Sequence, residues 1–160
     1  MENIFHPSEI IRIAVNVERN GQTLFGMLQE KATDQKIKDM WGYLKEQEIH
    51  HQKIFADILS DTENYFVDEY NPGEYGAFLQ AIASEYIVTQ EVIEQRTKEL
   101  FTSDLEAINF GIFIEKESIM TYSVLRDYVK SEHQDIIDKV IDEEKKHLVN
   151  LYKIKQTLTA

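Results

Sequence analysis

Apolar residues recur at three- and four-residue spacing along four stretches of the chain, the pattern of helices that each turn one face toward a shared core. The first stretch, about 7–32, carries Ile11, Ala14, Glu18, Gly21, Phe25 and Leu28 on that face. The second, about 34–60, carries Ile37, Trp41, Leu44, Glu48, His51, Phe55 and Ile58. The third, about 103–130, carries Ile108, Gly111, Glu115, Ser118, Tyr122, Leu125 and Val129. The fourth, about 132–158, carries Ile137, Val140, Glu144, His147, Leu151, Ile154 and Leu158.

Local signals punctuate these stretches. Pro7 suits a first helical turn, and Thr33-Asp34 offers a cap for the second helix. Ser103 with Glu106, and Ser131 with Gln134, have the spacing of capping boxes. Between helices two and three lie Asp61 to Asn64, an aromatic run from Tyr65 to Tyr70, and Asn71-Pro72-Gly73, which together mark a break. Residues 74–101 then read as further amphipathic helix, with Phe78, Ile82, Val88, Val92 and Leu100 among polar residues. Helices of this length span roughly 40 Å at about 1.5 Å per residue, so short loops can join one to two and three to four, while the 61–102 connection must return along the bundle. The expected fold is all-α: an up-down four-helix bundle of two helical hairpins with a long, partly helical crossover, in a single domain over 1–160.

Each apolar face is interrupted near its middle by a carboxylate, and two of them carry a histidine three residues later, on the same face of the helix. Buried glutamate is rare unless it is paired or bound to a cation. An isolated Glu-x-x-His is most simply a solvated pair; two of them in register on apolar faces are not. The hairpins also repeat one another: Glu48 follows Glu18 by 30 residues and Glu144 follows Glu115 by 29, and the first face aligns without gaps on the third. A duplicated hairpin closed by a pseudo-two-fold axis would collect Glu18, Glu48, His51, Glu115, Glu144 and His147 at one level. Such a set suits two divalent cations, with iron the first choice and manganese or a mixed pair as alternatives. A metal-free hydrogen-bonded Glu–His network is the bland alternative.

Composition narrows the picture. The 160 residues hold 29 acidic and 17 basic side chains, a net charge of −12 that disfavours nucleic acid or an anionic membrane as partner. Two Pro and six Gly leave little turn material. Without cysteine there is no disulfide, thiolate chemistry or iron–sulfur ligation. No apolar run approaches a membrane span and no signal-peptide pattern opens the chain, so a cytoplasmic protein is expected.

On these residues the chain resembles the ferritin-like di-iron carboxylate proteins, and more closely their rubrerythrin-like branch, across all four helices. The resemblance implies Glu18 and Glu115 as single ligands, Glu48 and Glu144 as metal bridges, and one metal capped by each of His51 and His147. It also implies two irons per chain and reduction of hydrogen peroxide or dioxygen. Two departures stand out. Ser118 occupies the place where rubrerythrins generally carry an additional glutamate, and a cysteine-free chain cannot contain a rubredoxin domain, so electrons would come from a separate donor protein.

Other polar residues receive plainer readings. His50 lies about 100° round the helix from the seam and is expected at the surface, and His6 and His133, at helix starts, are expected in caps or at the surface. Glu117 and Glu143 are set aside as ligands, because Glu117 falls off the seam and Glu143 has Lys146 rather than histidine three residues on. Tyr122, two turns beyond Glu115, is either a core aromatic with a polar handle or a catalytic residue, as a partner to a ligand carboxylate or a radical or electron relay; Phe25 at the matching place favours packing. Trp41 is expected in the core. Glu85, Glu91, Glu94 and Glu99 are expected on a solvated face of the crossover. The leading function is a di-iron oxidoreductase, in a homodimer by base rate. Ferrous oxidation, iron storage or metal buffering is the second reading, and a non-catalytic helical interaction module the third.

Overall fold

The computed structural model describes residues 7–62, 77–78, 81, 90–99 and 102–160. Within them run five helices: α1 Pro7–Lys31, α2 Gln35–Thr62, α3 Gln90–Glu99, α4 Asp104–Arg126 and α5 Ser131–Thr159. The principal packing pairs are α1 with α2 and α4 with α5, and α1 also meets α3 and α4. The four long helices are those the apolar spacing predicts. Among the described residues no helix is long and apolar enough to cross a membrane.

The turn into α2 is held by Asp34, whose Oδ1 accepts from the backbone N–H groups of Lys36 at 2.9 Å and Ile37 at 3.1 Å, satisfying donors that a helix start leaves open. Ser103 caps α4 by accepting from the N–H of Glu106 at 3.2 Å. The glutamate's return bond falls one residue early, on Thr102, whose N–H and hydroxyl both donate to Oε2 of Glu106.

Two boundaries differ from expectation. Helix α4 ends at Arg126 and not near 130, because the chain tightens there: the N–H of Asp127 donates to the Val124 carbonyl and that of Tyr128 to the Leu125 carbonyl. Val129 is still buried, but from the turn. The capping box expected at Ser131 does not form. Lys130 takes the cap position, where no side chain bonds the helix start, and Gln134 instead donates from its amide to the Arg126 carbonyl, closing the α4–α5 turn.

The core is two apolar layers with a polar layer between them. One layer contains Ile11, Ala14, Val17, Phe55, Ile58, Tyr122, Leu125, Ile137 and Val140. The other contains Leu24, Phe25, Leu28, Ile37, Trp41, Leu44, Ile108, Ile114 and Leu151, with Trp41 stacked on Phe25 as a core residue. The predicted fourth face overshoots: Ile154 is half-buried and Leu158 is exposed, since the last turns of α5 extend past the layer that Leu151 closes.

In the crossover, Phe78 is exposed and Ile93 of α3 is fully buried in the Trp41 layer, so among the described residues the apolar contact comes from one the periodicity did not single out. Glu91 and Glu94 are exposed as expected. Tyr65 to Tyr70, Asn71-Pro72-Gly73, Ile82, Val88, Leu100, Glu85, His6 and the side chains of Val92 and Glu99 lie outside the described residues.

Candidate metal centre

Between the two apolar layers all six singled-out residues come together, each with no more than 2 % of its surface exposed. Helix periodicity supplies the inward direction, and the duplicated hairpin supplies the common level. Glu18 projects from α1, Glu48 and His51 from α2, Glu115 from α4, and Glu144 and His147 from α5.

The carboxylate of Glu144 lies between the two imidazoles: Nδ1 of His51 is 3.0 Å from its Oε1 and Nδ1 of His147 is 3.0 Å from its Oε2. The rings lie 5.9 Å apart, inclined by 26°. The two single glutamates hold matching positions, with Glu18 Oε2 3.8 Å from Nδ1 of His51 and Glu115 Oε2 3.8 Å from Nδ1 of His147. Two overlapping quartets result. Glu18, Glu48, His51 and Glu144 form one, and Glu48, Glu115, Glu144 and His147 the other; in each, one atom from every residue falls within 4.8 Å of all the rest. Glu48 and Glu144 are common to both.

So many carboxyl groups cannot all ionise in a dry layer without cations. Burial, then the charges of Glu48 and Glu144, raises the Glu18 carboxyl well above its ordinary range. Burial, then the charge of Glu144, raises Glu115 in the same way. Glu48 is pushed up to about 8, by burial first and the Glu144 charge second. Glu144 moves the other way: burial opposes its charge, but the hydrogen bonds from His147 and His51 outweigh burial and bring it to about 2. For His51, burial disfavours the imidazolium, yet Glu144, Glu48 and Glu143 together outweigh that and lift it to about 9.

Two further features fit a pair of cations. No donor reaches Oε2 of Glu18 or either oxygen of Glu115, although all are buried, and buried acceptors are ordinarily paired. Gly21 on α1 also leaves the space that the Glu48 carboxylate fills, since a Cβ there would lie 2.6 Å from Oε2.

Around the six, the neighbours divide. The hydroxyl of Tyr122 donates to Oε1 of Glu18; of the two readings the sequence left for Tyr122, the structure adds the carboxylate contact to the packing one. Glu143, set aside as a ligand from the sequence, is half-buried and accepts from Nε2 of His51 at 2.8 Å. Its signal was faint: it precedes Glu144 by one residue, so it faces a neighbouring helix and not the seam. His50 is exposed. Ser118 is buried and Glu117 is half-buried. His133 joins the two hairpins away from the centre, with Nε2 2.7 Å from Oδ2 of Asp61.

A helical bundle whose middle is one layer of four carboxylates and two imidazoles has the ferritin-like architecture. A crystal structure with the same fold, at 2.30 Å resolution, is that of a Thermotoga maritima protein described as a ferritin-like diiron-carboxylate protein; it is 24 % identical, with 98 % of each chain covered and a TM-score of 0.70. The Rubrerythrin family model matches residues 9–155, and the chain belongs to that family. None of the curated proteins matches the sequence.

Proposed function

We propose that the chain is a di-iron oxidoreductase that reduces hydrogen peroxide, or dioxygen, with electrons from a separate donor. The observation that carries this reading is the pair of buried quartets sharing Glu48 and Glu144, with glutamate oxygens that no donor satisfies. Glu18, His51 and the two shared carboxylates would hold one iron, and Glu115, His147 and the same shared carboxylates the other. Oxygen and imidazole donors of this kind accept iron or manganese. Membership of the rubrerythrin family supports iron and the peroxide chemistry.

Bound iron would supply the two electrons that, with two protons, convert one peroxide into two waters. The chain's own residues do the rest. The apolar layers on either side exclude bulk water and fix the level of the ligands. Glu144 orients both imidazoles through their inward nitrogens. Tyr122 fixes one oxygen of Glu18, and burial, followed by the charge of Glu18, raises its phenol so that it keeps its proton. With Ser118 in place of a further glutamate, the carboxylate set stays at four. With no cysteine in the chain, electrons arrive from outside it.

Metal-free protein loaded anaerobically with ferrous ion should take up two irons per chain and then consume one peroxide per two irons oxidised. Two irons with no peroxide consumed would remove the reductase reading and leave a metal-binding protein, for which native mass separates a storage shell from a small oligomer. No iron at all would remove the metal reading.

A further inference from the structure

The two halves of the centre are equal in their six inner residues and unequal in what stands behind them. On the α1–α2 side, Nε2 of His51 is held by the Glu143 carboxylate at 2.8 Å, which fixes the ring with Nδ1 facing inward beside Glu144. Glu18 is held through Oε1 by the Tyr122 hydroxyl, which leaves Oε2 as its free inner oxygen. On the α4–α5 side neither restraint is repeated. Both oxygens of Glu115 lack a donor. The rings of His147 and Tyr43 stand perpendicular with their centres 5.9 Å apart, and among the described residues no carboxylate accepts from Nε2 of His147.

The duplication explains the difference. In the repeat, Tyr122 corresponds to Phe25, which has no hydroxyl, and Glu143 to Gln47, which has no charge. The hairpins kept the ligands and diverged at the residues that orient them.

A carboxylate behind a metal-bound imidazole fixes its tautomer and raises its basicity, and removing such a partner typically costs about 10–100-fold in metal affinity. A ligand oxygen already held in place also loses less freedom when the metal arrives than one still free to turn. Both effects favour the same side. We infer that the two metal positions are unequal, and that Glu143 and Tyr122, as positioning residues, make the Glu18–His51 position the tighter one, filled first by a divalent cation. This rests on the reading of the six residues as metal ligands.

Anaerobic titration of the metal-free protein with cobalt(II) tests it, because the visible absorption of each bound ion is read separately from any activity. Two steps are expected, the first at least about 10-fold tighter than the second. The tight step should survive in His147→Ala and disappear in His51→Ala. Glu143→Gln, at a half-exposed position that tolerates the change, should weaken the first step by about 10-fold and leave the second in place, so that the two merge. Tyr122→Phe should shift the first step in the same direction. Two equal steps in the unaltered protein, a tight step lost with His147 instead of His51, or equal weakening of both steps by Glu143→Gln would each overturn the inference while leaving a two-metal site intact. Failure to bind cobalt at all would overturn the ligand reading with it.

Discussion

Gly21 of α1 stands directly against the carboxylate of Glu48 on α2: a methyl group on Gly21 would come within 2.6 Å of Oε2, 3.0 Å of Cδ and 3.2 Å of Cγ. Mid-helix glycine normally costs roughly 0.5–1 kcal/mol against alanine, so its presence here trades helix stability for room at a shared carboxylate. Gly21→Ala should therefore leave the melting temperature of the metal-free protein almost unchanged or slightly raised, while metal uptake falls, as read by elemental analysis after ferrous loading. Full metal content in that variant would show that Glu48 can shift without cost.

The histidines divide by burial. His51 and His147 are buried with Nδ1 turned inward, and His50, adjacent in sequence, is exposed. The double variant His51→Ala with His147→Ala should lose tight metal binding, and His50→Ala should retain two ions per chain. A double variant with unchanged metal content would remove both imidazoles from the ligand set.

Gly111 of α4 has a different neighbour, the ring of Trp41, with a Cβ there 3.0 Å from Cη2 and 3.1 Å from Cζ3. A rigid buried indole cannot turn aside as a carboxylate can. Gly111→Ala should lower stability by about 1–3 kcal/mol through overpacking, measured by chemical unfolding, without changing the number of metals bound. The matching residue of α1, Ala14, already carries that methyl group within the opposite layer.

Acidity gives a prediction with a definite sign. Glu48 rises from 4.5 to about 8 and His51 from 6.5 to about 9 in the folded chain, so the metal-free bundle holds protons that the unfolded chain releases. Stability from these groups is full at low pH and is lost as pH climbs through about 8 and 9. Glu144, lowered from 4.5 to about 2, contributes stability above 4.5 that disappears as pH falls toward 2. The metal-free protein should thus melt highest near pH 5 and progressively lower toward pH 9. Metal binding displaces those protons, so affinity should rise with pH over the same interval, and the gap in melting temperature between loaded and metal-free protein should widen. A flat metal-free profile between pH 5 and 9 would contradict the burial of these groups.

Much of the molecule was legible in the one-dimensional pattern. Four helices, their inward faces and all six inner polar residues follow from a period of about 3.6 residues, because a helix places residues three and four apart on one side whatever its neighbours are. The duplication then brought the six to one level. Residues off that face were harder to place. Glu143 and Tyr122 acquire partners only through the rotation and axial offset of a facing helix, and local sequence carries neither quantity. The same is true of Glu144, which lies between both imidazoles while Glu48, its counterpart in the repeat, does not, and of the turn that ends α4 at Arg126. Sequence by itself determined the inward faces of the four long helices and the chemistry they offer. Tertiary packing decided which of two equivalent carboxylates takes the central place and which half of the centre is held from behind, since those outcomes depend on ångström-scale contacts between residues as much as 104 positions apart.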